Sequence, residues 1–199
     1  MKNRRTPFCR YSLIALIASM APLVSYAHTG GSETADFWHG MLHPMGGLDH
    51  VLAMIAVGIW AAQLGGRAIW LVPATFVGVM ATGGSLGMSG NVVLPFVEQS
   101  IVLSVLMLGV LIAAAIRLPL PVSATTVGLF AAFHGVAHGV ELPMAASAMA
   151  YALGFVLATA CLHLCGIGLR SLFARLGKRA LVRYVGGMIA VGGAYLILA

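Results

Sequence analysis

Three features of the sequence predict an all-α, polytopic membrane protein with six transmembrane helices after a cleaved signal peptide. First, the 199-residue chain is 60% hydrophobic and only 8% charged, whereas a soluble domain carries about a quarter charged residues. It lacks the polar side chains to cover its own apolar surface. Second, the apolar residues gather into runs that reach the roughly 20 residues a helix needs to cross a bilayer. Third, the basic and acidic residues separate onto alternate breaks between these runs. The 25 glycines fit this class, because small residues let membrane helices approach closely.

The N-terminal element reads as a secretory signal. The basic "KNRR" precedes the apolar "YSLIALIASM", and "SYA" places small residues before Ala27. Cleavage after Ala27 is expected, dividing the chain into a signal peptide, 1–27, and a membrane domain, 28–199. An uncleaved first helix is the alternative, and it leaves residue 28 on the same, non-cytoplasmic side. Of the three cysteines, Cys9 departs with the signal, while Cys161 and Cys165 lie in a membrane run with no disulfide framework.

Six runs follow, at about 45–64, 68–86, 92–116, 121–140, 144–169 and 181–198. Turn-forming stretches separate them: "LGGR", "GMSGN", "RLPLP", "ELP" and "RSLFARLGKR". With residue 28 outside, the inner breaks hold Arg67, Arg117, Arg170, Arg175, Lys178, Arg179 and Arg183, every basic residue of the mature chain. This is the distribution the positive-inside rule requires. Glu33, Asp36, Asp49, Glu98 and Glu141 all fall on the outer side. The net charge of +6 therefore reports topology and gives no indication of nucleic acid.

The chemistry concentrates in two stretches. "HPMGGLDH" carries His43, Asp49 and His50 against the run Val51–Leu64, which is too short to cross alone. A full span beginning near Met45 places Asp49 and His50 at membrane depth, where an ionisable group is a functional candidate. Upstream, His39 and His43 stand four apart. Pro44 and Gly46–Gly47 predict a short outer helix, a break, and then the first span. In "FHGVAHGVELP", His134, His138 and Glu141 fall at i, i+4 and i+7, on one face of the fourth span near its outer end. Glu98 sits about two turns into the third span. Imidazole and carboxylate are ligands for first-row divalent cations, and Met41, Met45, Met54 and Met144 leave a softer metal open. Six of the seven histidines lie outside or in the outer half, four of them in two H-x-x-x-H pairs.

Plainer roles stand beside these. Asp49 fits an N-cap position, Glu98 fits a structural partner of a histidine, and His163 fits a packed, hydrogen-bonded core residue. Cys161, His163 and Cys165 fit either space-filling or an inner exit site. "WHGMLHP" and "FHGVAHG" also share an aromatic-His-Gly-x-x-His pattern, which fits an inverted repeat of three plus three helices.

At these residues the chain resembles the HupE/UreJ family of bacterial nickel/cobalt permeases. The resemblance rests on His43-x5-Asp49-His50 with the following "LAMIAVGIWAAQLGG", on "FHGVAHGVELP", and on the order of signal, spans and motifs. It implies uptake of Ni²⁺, sometimes Co²⁺, to supply hydrogenase, urease or cobalamin. It also implies site roles for His43, Asp49, His50, His134, His138 and Glu141. The reading of the whole chain is an inner-membrane permease with a periplasmic mature N-terminus. His39, His43, Asp49, His50, His134, His138, Glu141 and Glu98 are its metal residues. No catalytic cofactor is expected, the transported ion binding only transiently, and neither is a nucleic-acid partner. With no G-x-x-x-x-G-K-[ST] pattern, the chain carries no ATP motor of that kind. Two rivals remain: an intramembrane metalloenzyme of the zinc hydrolase or di-iron type, and a metal-binding accessory or sensor protein without flux.

Overall fold

Gly46 and Gly47 interrupt the chain between a short helix and the first long one, and the rest of the architecture follows from that break. The computed structural model describes residues 33–90, 92–142 and 147–198. The expected signal peptide, 1–27, and its cleavage after Ala27 lie outside the described residues. Helix α1 (Glu33–Leu42) runs into a 3₁₀ turn (His43–Met45) with Pro44 at its start, a place where proline's missing N–H costs little. Helix α2 (Leu48–Leu64) follows with Gly47 as its N-cap. The axis bends by 80° between the two segments. The expected outer helix and break are therefore present, followed by a long apolar helix that begins at Leu48 and not near Met45.

The remaining helices are α3 (Ala68–Met88), α4 (Val97–Ala113), α5 (Leu120–Glu141), α6 (Ala148–Arg175) and α7 (Arg179–Leu198). Four of them, α3, α5, α6 and α7, are long and apolar enough to cross a membrane. The bent pair α1–α2 counts as a fifth only if its two helices form one broken span and not a re-entrant loop, and α4 is a shorter apolar helix. This is an all-helical membrane protein among the described residues.

Two further runs differ from expectation. The third run is helical only over Val97–Ala113, because Pro95 offers no backbone donor and Phe96 stands at φ 57°. Glu98 consequently lies in the first turn of α4 and not two turns in. The fifth run extends to Arg175, since "RSLFAR" is made largely of good helix formers.

Helix α2 is the axis of the bundle. From Ala53 to Ala62 every residue but Ile55 is buried, including Met54, Val57, Ile59 and Trp60. A helix apolar on all sides belongs in such a position. It packs against α3, α4, α6 and α7, while α3 pairs with α5 and α4 with α7 along their lengths. The α3–α5 seam is a small-residue contact: a Cβ added at Gly135 would collide with the Met80 carbonyl. The same holds where Gly58 of α2 meets the His163 backbone. Close packing of this kind replaces the hydrophobic driving force that lipid removes.

At the far end of α2, Trp60 Nε1 donates to Ile116 O at 3.1 Å, Gln63 Nε2 to Ile112 O at 3.1 Å, and Arg183 Nε to Ala113 O at 2.8 Å. These donors satisfy carbonyls at and just beyond the C-terminus of α4. The C-termini of α2 and α4 therefore lie together, so the first turn of α4, with Glu98, lies towards the Asp49–His50 end.

Candidate metal centre

The break after Met45 and the last turns of α5 bring the two histidine motifs into one cluster. Gly47 makes the local fold possible. A Cβ there would lie 2.5 Å from Asp49 Oδ1 and 2.8 Å from His50 Nδ1, so both side chains fold back over a bare backbone. Asp49 Oδ1 accepts from the His50 backbone N–H at 2.8 Å and from His50 Nδ1 at 2.7 Å. The N-cap of α2 is Gly47, with no side-chain cap bond, so Asp49 does not occupy the capping position and instead anchors the His50 ring.

Glu141 plays the corresponding part at the end of α5. One carboxylate oxygen, Oε2, accepts from His43 Nε2 at 3.1 Å and from His138 Nδ1 at 3.3 Å. One ligand atom from each of His43, His138 and Glu141 lies within 4.8 Å of the others. One turn deeper, His134 Nδ1 bonds the Phe130 carbonyl at 3.0 Å.

The partners fix the tautomers. A carbonyl or carboxylate oxygen only accepts, so Nδ1 of His50, His134 and His138 must carry the proton. Their Nε2 atoms then present lone pairs, and all three are buried without a hydrogen-bond partner. Nitrogens left unmet inside a protein need an explanation, and an anchored Nδ1–H with a free Nε2 is how metal-ligating histidines are prepared. The rings are close neighbours: His50 and His138 stand 4.5 Å apart between centres, His50 and His134 5.2 Å, and His43 and His138 4.9 Å. Two imidazoles on one ion at about 2.1 Å have ring centres roughly 5 Å apart.

The cluster grades from wet to dry. The His43 side chain is 27% exposed, that of His50 13%, and that of His138 6%, while His134 is fully buried. His39 is exposed, with its ring 6.1 Å from His43. Glu98 is exposed on α4 and makes no hydrogen bond or ion pair among the described residues, so the structure does not bring it into contact with the histidines.

Sequence reasoning missed three aromatic residues. Tyr151 packs its ring 5.7 Å from His43, and its buried hydroxyl has no hydrogen-bond partner. Phe155 lies 4.3 Å from His138, and Phe76 lies 5.4 Å from His134. They look like ordinary apolar-span residues in sequence, and only helix packing turns them towards the cluster. The suggested exit site does not assemble. Cys161 and Cys165 are exposed while His163 is buried, because residues two apart on a helix do not share a face. Nor is His163 hydrogen-bonded, since both of its ring nitrogens lack partners.

Residues 14–196 match the family model described as HupE / UreJ protein. Protein HupE of Rhizobium leguminosarum bv. viciae is 48% identical over 193 residues, covering 95% of this chain and 99% of that protein. No solved structure matches the chain.

Proposed function

The chain belongs to the HupE/UreJ family, and from that premise we propose that it is an inner-membrane permease that takes up Ni²⁺ or Co²⁺ from the periplasm. The family is associated with nickel and cobalt uptake for hydrogenase and urease. The observation that supports transport by this cluster is the set of three buried Nε2 atoms on His50, His134 and His138, each on a ring whose Nδ1–H is already anchored.

In this reading His39 and His43 receive the hydrated ion at the mouth, with Glu98 and Glu141 lowering the electrostatic cost of entry. The ion then exchanges water for the Nε2 atoms of His50, His138 and His134. Asp49 and Glu141 orient the rings and offset the incoming charge. Imidazole nitrogens with carboxylate oxygens among them, as in the His43, His138 and Glu141 group, suit a borderline divalent cation better than a thiolate-seeking one. Inward movement follows the membrane potential, worth about 2.3 kcal/mol per charge per 100 mV, or is coupled to protons.

The topology completes the proposal. Residues 1–27 are a cleaved signal peptide, and the domain 28–199 crosses six times. The bent α1–α2 pair is the first crossing, and α4, with 17 residues, sits at the short limit for a span. The mature N-terminus is periplasmic.

The test is Ni²⁺ accumulation in proteoliposomes under an inside-negative potential. The wild-type chain accumulates the ion and His50→Ala does not. Metal binding by the wild-type chain without accumulation would instead support the accessory-protein reading.

A further inference from the structure

His163 has no place in the outer cluster, yet among the described residues both of its ring nitrogens are buried and unmet. It is 2% exposed, and neither ring nitrogen has a hydrogen-bond partner. A neutral imidazole carries one donor and one acceptor, and interiors leave such a group unmet only where a ligand, a water or a function accounts for it.

Two further donors lie one helical turn away, Thr159 from His163 itself and Met80 from its ring neighbour Phe76. Thr159 stands one turn earlier on the same face of α6, fully buried, and its hydroxyl points to Met80 Sδ at 3.9 Å. Met80 is 2% exposed and lies one turn beyond Phe76 on α3. The Phe76 ring contacts His163 at 5.2 Å and His134 at 5.4 Å, so His163 lies across one aromatic ring from the deepest member of the outer cluster. A cavity of about 260 Å³ is lined by both His138 and Met80, together with Tyr151 and Phe155. It gives the outer cluster and the Met80 thioether a common wall. The His163 backbone packs against Gly58, eight residues beyond His50, which is about 12 Å further along α2 at 1.5 Å per residue.

We propose that His163, Met80 and Thr159 form a second, inner station for the transported divalent cation, distinct from the outer cluster. This rests on the permease reading for its role, though not for its existence as a binding site. Its chemistry differs from that of the outer cluster. Imidazole, thioether and hydroxyl are all neutral, and every carboxylate among the described residues belongs to α1, to the first turn of α2 or α4, or to the end of α5. A neutral set holds a divalent ion less tightly than one with carboxylates beside it. Conduction requires that a site bind well enough to be entered and weakly enough to be left. Nitrogen and thioether sulfur also favour late first-row ions over Mg²⁺ and Ca²⁺.

The test combines equilibrium binding of Ni²⁺ to the full chain in detergent with uptake in proteoliposomes. The wild-type chain binds a second, weaker ion that His163→Gln lacks. His163→Gln retains the wild-type half-saturating concentration for uptake but loses about tenfold in maximal rate. Met80→Leu keeps the side-chain volume and removes the sulfur, so it guards against a folding artefact. It should weaken only the second ion, also by about tenfold. Retention of the second ion by His163→Gln, its absence from the wild-type chain, or wild-type affinity for it in Met80→Leu overturns the station. If the wild-type chain takes up no Ni²⁺, the permease reading fails, and the binding stoichiometry still decides whether the station exists.

Discussion

The two ends of α2 carry the chain's charge in opposite ways. At its first turn, Asp49 and His50 join His43, His134, His138 and Glu141, and each of these imidazoles is held through one nitrogen by an oxygen acceptor. At its last turn, Gln63 borders an open cavity of about 360 Å³ lined by Arg117, Arg170, Arg179 and Arg183. No carboxylate lines that cavity, and three of its four arginines are exposed. The first end is built around fixed donor–acceptor pairs that leave chosen lone pairs free. At the second, three exposed guanidiniums supply charge, and their one fixed hydrogen bond among the described residues, from Arg183 Nε to Ala113 O, closes a helix end and leaves no lone pair for a ligand. A binding site needs orientation, whereas an orientation signal for membrane insertion needs only charge near the interface.

Substitutions should separate the two ends sharply. The largest effect is expected for His138→Ala, whose ring neighbours His43, His50 and Phe155 and whose Nδ1 is held by Glu141. Ni²⁺ uptake normalised to membrane-inserted protein should fall about a hundredfold. Unchanged uptake would reduce the histidine end to packing.

Asp49→Asn comes next. Its side-chain oxygen can still accept from the His50 N–H groups, so the ring stays oriented while the charge is lost. We expect about a tenfold loss of uptake, and a greater loss for Asp49→Ala. Equal losses in the two variants would make charge the whole contribution of Asp49, and full activity in Asp49→Asn would make orientation the whole of it.

Gly47→Ala tests the cradle without touching a polar group. Gly47 has φ −110° and ψ 124°, which alanine adopts readily, so any effect comes from the methyl pressing on Asp49 and His50. A several-fold rise in the half-saturating Ni²⁺ concentration is expected in an uptake assay.

The smallest effect belongs to the arginine end. Arg117→Gln combined with Arg170→Gln should leave the half-saturating Ni²⁺ concentration within about twofold, as surface substitutions usually do. The same end should be cytoplasmic. Ser171→Cys in intact cells should resist an impermeant thiol reagent, and labelling there would overturn the topology.

Much of this was legible in the chain. The break at Gly46–Gly47 follows from Pro44 and two glycines, and the alignment of His134, His138 and Glu141 follows from helical periodicity. The shorter α4 was less legible, because Pro95 and Phe96 end an apolar run on backbone geometry that hydropathy does not register. The partners of His43 were illegible for a different reason. Its bond to Glu141 joins residues 98 apart in sequence, and no local pattern encodes that distance.

The sequence by itself determined that the chain is helical and membrane-embedded. It determined most of the residues that punctuate the helices, and that imidazoles and carboxylates gather near one end. Composition, period and charge placement are local properties, and they act before any helix meets another. The tertiary structure decided which nitrogen of each histidine is engaged and which is free, that Asp49 anchors a ring and is not the N-cap, and that both ring nitrogens of His163 are left without a hydrogen-bond partner against the Phe76 ring. Those outcomes depend on how closely α2, α3, α5 and α6 approach. That approach is set by glycines whose missing side chains have meaning only once a neighbouring backbone fills the space.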